Sequence, residues 1–166
     1  NSIKKATLYK SGIPAEFGSR LSSVLDIQTK DGNKEKLSYY GSVSPFFIDY
    51  ALEGPLKKDK SSFFVSGRNS LLGLFFKPLL SNQLSIDNFK FYDFNAKINY
   101  KVNHKNRIYL SSYIGRDVFK TNSSTNSLNE SWGNFTNSLK WNHFFNSKLF
   151  ANAHLINSNY QYKNYQ

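Results

Sequence analysis

The chain has 166 residues and a formal net charge of +11, and 17% of its residues are aromatic although only 39% are hydrophobic. It contains no Cys, which excludes disulfides and thiolate metal sites, and no run of about 18 apolar residues that could form a transmembrane helix. The length suits one ordinary domain, and many aromatics at low mean hydropathy suit a sheet with one apolar face and one wet face.

The positive charge has two explanations. A basic surface can bind nucleic acid or anionic lipid headgroups. Alternatively, Lys, Asn, Ile, Phe and Tyr rise together in a chain with AT-rich coding. The cations are scattered and form no single stripe, which favours the compositional explanation. A chain that starts at Asn1 and has no Met is interpreted as an internal or processed segment.

The first 33 residues combine turn-forming residues with short strands. Gly12 and Gly18 permit tight turns, and Pro14 fixes one. In chain order the segment begins with a strand at Thr7–Lys10, a Gly/Pro turn at Gly12–Pro14 and a Phe-Gly-Ser-Arg element at Phe17–Arg20. A small-residue stretch at Leu21–Ser23, a hydrophobic strand at Val24–Thr29 and a Lys-Asp-Gly end at Lys30–Gly32 follow. This order resembles the end of the plug domain of TonB-dependent outer-membrane receptors, which implies that residues 1–33 are the C-terminal part of a plug.

From about Asp31 onward the sequence alternates with period two, the signal of a strand with one buried face. In residues 92–102 the even positions are apolar or aromatic and the odd positions are polar. This stretch also has the length of a membrane-spanning strand, about 9–11 residues. Seven strands are predicted in all, at 35–44, 46–56, 62–70, 92–102, 107–117, 132–145 and 149–162.

The connections between these strands alternate in length. Short polar turns are predicted at 57–61, 103–106 and 146–148, with longer loops at 72–88 and 119–131 and a tight bend at 44–45. Short turns on one rim and long loops on the other are typical of outer-membrane barrels. Aromatic residues also bracket the apolar face as interfacial girdles do. These are Tyr92, Phe94 and Phe135 toward the long loops, and Tyr100, Trp141 and Phe145 toward the short turns.

The stretches that follow the plug-like segment extend the resemblance. Leu52–Leu56, Asp59–Phe63 and Ser66–Arg68 are similar to the early barrel of the SusC-like or a neighbouring branch, although Leu21–Ser23 stands where many SusC-like relatives carry Gly. The resemblance implies an all-β fold, with residues 34–166 as about seven strands of an antiparallel transmembrane barrel of roughly 22 strands. Since bacterial barrels have an even number of strands, seven strands mean either a count that is wrong by one or part of a larger barrel, and the plug-like N-terminal segment favours the second.

Several residues are candidates for contacts between plug and barrel. A buried Arg20 would require carboxylate or carbonyl partners, whereas the alternative is a solvated loop cation. The resemblance favours a plug-to-barrel contact, made by Arg20 and Gly18 with Asp49, Glu53 and Asp93. The alternation further predicts that Phe94, Ile98, Leu110, Leu139 and Trp141 face lipid, and that Asp93, Arg68, Lys97 and Lys140 face the lumen.

The predicted loop 72–88 carries much apolar surface, including Phe75, Phe76, Leu79 and Leu80. Exposed loops seldom hold so much apolar surface without a partner. A local cluster or short helix packed on the barrel rim is one explanation. The other is a lid or docking surface for a ligand or a surface lipoprotein, as the SusC-like resemblance suggests.

The resemblance implies TonB-dependent import of a bulky nutrient at the bacterial outer membrane. The partners would be outer-membrane lipid, a TonB complex bound through a segment outside this chain and a nutrient whose class the sequence does not specify. A structural or adhesive barrel and a soluble basic β-sheet that binds nucleic acid are the alternatives. His104, His143 and His154 lack metal-ligand spacing, and no nucleophile elbow or phosphate-binding loop occurs, so neither enzyme activity nor a cofactor is predicted.

Overall fold

The computed structural model describes residues 2–18, 22–75, 86–122 and 127–165. The described chain is all-β and antiparallel apart from two single helical turns. It divides into two compact units, residues 1–30 and 31–166.

The first unit is a small sheet of its own. Strands β1 (Ile3–Tyr9) and β2 (Val24–Thr29) pair antiparallel, and a 3₁₀ turn lies between them at Ala15–Phe17. The β2 bounds are those predicted for the hydrophobic strand, whereas β1 begins four residues before the predicted Thr7. Gly18 follows the 3₁₀ turn with a φ of 72°, in the left-handed region that favours glycine.

The second unit is a seven-stranded antiparallel sheet whose strands neighbour one another in sequence order. This arrangement agrees with the predicted meander. The strands are β3 (Ser38–Val43), β4 (Phe47–Lys57), β5 (Ser61–Ser70), β6 (Ile86–Lys101), β7 (Asn106–Asn122), β8 (Ser127–Phe144) and β9 (Phe150–Tyr165), with a single turn of helix α1 (Leu72–Phe75) after β5.

One rim of this sheet, here called the short-turn rim, carries three brief connections. They lie at 58–60, 102–105 and 145–149, close to the predicted turns. Two of these turns use the same device, in which an Asn side-chain oxygen accepts hydrogen bonds from backbone N–H groups two and three residues ahead. Asn103 accepts from Lys105 and Asn106, and Asn146 accepts from Lys148 and Leu149. The local sequence therefore determines these turns.

The opposite rim, here called the far rim, differs from the sequence prediction. Residues 119–131 were expected to form a long loop, but β7 continues to Asn122 and β8 starts at Ser127, with Phe119 paired to Glu130. Likewise β6 starts at Ile86, inside the predicted loop 72–88. In β7 and β8 the reason is that alternation reports only strands with one apolar face, so a largely polar strand extension gives no clear period-two signal. In β6, Phe89 and Phe91 occupy odd positions, so the alternation changes face at Tyr92 and the extension does not continue the predicted strand's pattern.

The strand register defines two faces of the sheet. The apolar face carries a row of directly opposed residues from β5 to β9. The polar face carries Ser62, Phe64 and Ser66 of β5, together with charged residues of the same and neighbouring strands. The apolar row is Phe63, Ile98, Leu110, Leu139 and Leu155. Four of these five side chains are classed as exposed, from 42% at Ile98 to 71% at Leu155. The apolar face therefore has no covering layer in the described chain, and the buried Phe64 lies on the polar face.

The apolar face also has a polar interruption. Ser112, Asn137 and Asn157 are opposed to one another in the row next to the apolar row. The Ser112 hydroxyl donates a hydrogen bond to Asn137 Oδ1 at 2.6 Å, so these two side chains satisfy part of each other's hydrogen-bonding capacity. In β9 the alternation reverses after Leu155, so that Asn159 and Gln161 also lie on the apolar face.

Candidate functional site

The polar face brings charged residues of three neighbouring strands into one row. Asp49 on β4 lies opposite Arg68 on β5, which lies opposite Asp93 on β6. Both Nε and Nη2 of Arg68 lie 2.8 Å from Oδ2 of Asp93. The guanidinium also lies over the rings of Phe47 and Phe91, 5.6 and 5.3 Å from their centroids. Arg68 is thus held in position by a carboxylate and two aromatic faces.

Asp49 has a different partner. Its carboxylate accepts a hydrogen bond of 2.5 Å from the Ser42 hydroxyl on β3. Glu53 lies on the same face opposite Phe64, and Lys140 lies there opposite Tyr109 and His154. The polar face therefore gathers six of the charged residues singled out from the sequence and pairs Arg68 with Asp93. The six are Asp49, Glu53, Arg68, Asp93, Lys97 and Lys140.

Other candidates fall elsewhere. Arg20, Phe76, Leu79 and Leu80 lie outside the described residues. Gly18 belongs to the first unit, and Phe75 is the last residue of α1.

A second cluster, here called the Asp31 anchor, consists of Asp31, Ser62, Lys97 and Asn99. The Asp31 carbonyl accepts hydrogen bonds from Ser62 Oγ at 2.7 Å and from Asn99 Nδ2 at 3.0 Å. The Asp31 carboxylate lies 2.8 Å from Lys97 Nζ, which also lies 5.6 Å from the centroid of the Tyr109 ring. Ser62 and Asn99 are 0% and 1% exposed, so these hydrogen bonds are shielded from water.

Gly32 allows the chain to approach the sheet at the Asp31 anchor. Its φ is 83°, and a Cβ atom placed there would collide with the carbonyl oxygen of Phe63. Asn33 then closes the turn, because its side-chain oxygen accepts hydrogen bonds from the backbone N–H groups of Glu35 and Lys36. The Asp-Gly-Asn sequence at 31–33 is typical of a turn. The sequence did not reveal Ser62 and Asn99, which only the register places beside each other.

The anchor leaves one polar atom unsatisfied. Asn99 Oδ1 is buried and has no hydrogen-bond partner among the described residues. Buried amide oxygens normally accept at least one hydrogen bond. The polar face therefore retains an acceptor that a water molecule or another segment with a hydrogen-bond donor can satisfy.

The ion pair between Arg68 and Asp93 should contribute little to stability. A double-mutant cycle with Arg68→Gln and Asp93→Asn is expected to give a coupling energy of about 0.2–1 kcal/mol, because the Arg68 side chain is 49% exposed. Denaturant titration of the four proteins measures this energy. A matched cycle with Arg68→Gln and Asp117→Asn should give no coupling. A coupling as large as that of a buried pair would contradict the exposed geometry.

The described residues contain no group of three or more His, Asp or Glu side chains that could hold a metal ion. In the described parts of the chain, no helix is long and apolar enough to cross a membrane. Comparison with known proteins gives no relative, since no family model, no curated protein and no solved structure matches the chain.

Proposed function

We propose that this chain is part of a TonB-dependent outer-membrane transporter that imports a bulky nutrient. Residues 1–33 are the end of its plug, and residues 34–166 are the first strands of its barrel wall. The observation that carries the proposal is the seven-stranded antiparallel meander, whose apolar face is exposed at four of the five residues in its row of opposed side chains. Such a face needs an occupant, because exposed apolar patches on soluble monomers are usually small.

Lipid is the occupant that suits the dimensions of this face. The four longest strands, β6 to β9, have 16, 17, 18 and 16 residues. A strand needs only about 9–11 residues to cross a bilayer. The alternating apolar positions of β6 run from Tyr92 to Tyr100, so residues 86–91 would extend out of the bilayer at the far rim, as in outer-membrane barrels.

The two edges of the sheet also favour a larger assembly. Strands β3 and β9 each have one neighbour in the described sheet. An unpaired edge within a bilayer is costly, because no water is present to satisfy its backbone groups. Additional strands on both sides would satisfy them, and the proposed barrel supplies these strands.

The first unit favours a transporter over a structural barrel. Strands β1 and β2 pair with each other in a two-stranded sheet separate from the seven-stranded one. This separation is expected of a plug segment. In the same proposal the polar face lines the lumen, where Arg68, Lys97 and Asp93 make their charged contacts. The apolar row from Phe63 to Leu155 contains no cation, which disfavours a nucleic-acid groove.

Spin labels on neighbouring positions of β8 test the membrane assignment. The chain contains no Cys, so Leu139→Cys and Ser138→Cys each give it a single labelling site. The two sites lie on opposite faces of β8. In the full-length protein reconstituted in vesicles, the label at 139 should collide mainly with lipid-soluble oxygen. The label at 138 should collide mainly with a water-soluble nickel chelate. Leu110→Cys and Ser111→Cys on β7 serve as a matched second pair. Equal access of the chelate to both faces would contradict the proposal.

A genetic comparison tests transport itself. Solutes removed from the medium are measured for the source bacterium, for a strain without the full-length protein and for a strain without TonB. The proposal expects both mutant strains to lose uptake of the same solute. Uptake that is unchanged in the strain without this protein would leave a structural barrel as the better explanation.

A further inference from the structure

Cations gather on one face of the sheet at the far rim. The register places Lys90, Arg116, Lys120 and Lys163 on the apolar face, at the ends of β6, β7 and β9. Arg116 lies opposite Tyr92, and Lys90 and Lys163 belong to the next row along the sheet, joined through Val118 and Ser131. We call these four residues the rim cations.

The acidic side chains of the same region lie on the other face. Asp93 is opposite Gly115, Asp117 is opposite Phe91, and Glu130 is opposite Phe119, all on the polar face. The Glu130 carboxylate accepts a hydrogen bond from the Tyr162 hydroxyl at 2.9 Å. Apart from Arg68, which pairs with Asp93 on the polar face, the described charges of this region are thus separated by sign across the sheet. The apolar face carries positive charge immediately beyond Ile114 and Phe135, where its apolar rows end.

A recess lies among the rim cations. Gly133 on β8 is opposite both Arg116 and Gln161, and the three residues line a cavity of about 300 Å³. Arg116 Nη2 donates to Ser131 Oγ at 3.4 Å along one side. Lys163 and Gln161 belong to the same lining, and Phe135 is at the apolar end.

We propose that this recess binds the headgroup of a phosphorylated glycolipid in the outer leaflet. The proposal rests on the proposed function, because it requires the apolar face to contact lipid. Arg116 and Lys163 complement the phosphate charge, and a guanidinium can bind phosphate oxygens through two parallel hydrogen bonds. The exposed Asn159 and Gln161 offer amide groups that can hydrogen-bond to sugar hydroxyls.

The position of the recess supports a lipid rather than a dissolved anion. Ile114 and Phe135 line its apolar end and are part of the exposed apolar face, so acyl chains attached to a bound sugar would continue along apolar surface. The reversal of polarity in β9, which places Asn159 and Gln161 on the same face, then has an explanation, because these side chains would meet a headgroup rather than acyl chains.

The test measures glycolipid binding to the full-length protein in nanodiscs of zwitterionic lipid. The probes are diphosphorylated lipid A, its dephosphorylated form and inorganic phosphate. The test variant is Arg116→Gln/Lys163→Gln. The matched control, Lys101→Gln/Arg107→Gln, removes the same charges from the polar face at the short-turn rim. We expect the test variant to bind diphosphorylated lipid A at least about tenfold more weakly than the wild type.

The control variant should bind like the wild type, and the dephosphorylated form should bind both variants and the wild type equally. Equal weakening by the control variant would show an effect of net charge alone and overturn the inference. Wild-type protein that does not prefer the phosphorylated form, or from which inorganic phosphate displaces lipid A readily, would also overturn it. If the protein inserts into nanodiscs, such a result leaves the proposed function intact. Failure to insert overturns both.

Discussion

Replacing Gly32 with Ala is expected to lower the free energy of unfolding by about 3 kcal/mol. Gly32 has a φ of 83°, which L-residues adopt only at a cost, and a Cβ atom would collide with the carbonyl oxygen of Phe63. That oxygen belongs to the interior strand β5, whose backbone is paired on both sides, so it has little freedom to move. Denaturant titration measures the loss.

Gly73→Ala is the matched control for this substitution. Gly73 lies in α1, has no heavy atom within 4 Å of its would-be Cβ and does not have a positive φ. Ala is also the better helix former, so stability should be unchanged or slightly higher. Equal stability of the Gly32→Ala and Gly73→Ala proteins would show that the chain at Gly32 does not lie as close to the backbone of β5 as the structure indicates.

Replacing Ile98 with Arg is expected to destabilise the protein in lipid by about 2–4 kcal/mol, if the residue lies near the midplane of the bilayer. Ile98 is in the middle of the exposed apolar row and opposite Leu110. A guanidinium in this position would have to leave water for acyl chains. A folding titration in vesicles, compared with the same titration in detergent, measures the effect of the lipid environment.

Ser111→Arg provides the control on the polar face. Ser111 is adjacent to Leu110 in β7 and opposite Lys97, so the substitution adds the same group at the same depth but toward the proposed lumen. Its cost should be small, arising mainly from repulsion by Lys97. Equal effects of the two substitutions would contradict a lipid-facing assignment for Ile98, whereas a large difference confined to lipid would support it.

The Asp31 anchor and the recess at Gly133 differ in their exposure to the surroundings. Ser62 and Asn99 of the Asp31 anchor are almost fully buried, and their hydrogen bonds to the Asp31 carbonyl hold the chain against the sheet. The recess at Gly133 is open and lined by groups with remaining hydrogen-bonding capacity. Substitutions at the anchor should therefore change stability, and substitutions at the recess should change binding with little change in stability.

The amino-acid sequence by itself determined the strand order, the short turns and the two faces of the strands in the seven-stranded sheet. Side chains alternate across a strand, so a strand with one apolar face shows its orientation directly in the sequence. This is why residues such as Ile98 and Lys97 were assigned to opposite faces. The turns were equally local, because Asn103 and Asn146 form them with residues two and three positions ahead.

Only the tertiary structure decided which polar residues meet. The Asp31 carbonyl bonds to residues 31 and 68 positions away, and nothing in the sequences around Ser62 and Asn99 distinguishes them from other polar strand residues. The same holds for Arg116 and Lys163, which the register brings to one recess. The extension of β7 and β8 beyond the apolar band could not be predicted from the sequence either, because backbone pairing continues there without an alternation of hydrophobicity. Register depends on pairing between distant segments, and a single strand's pattern does not contain that information.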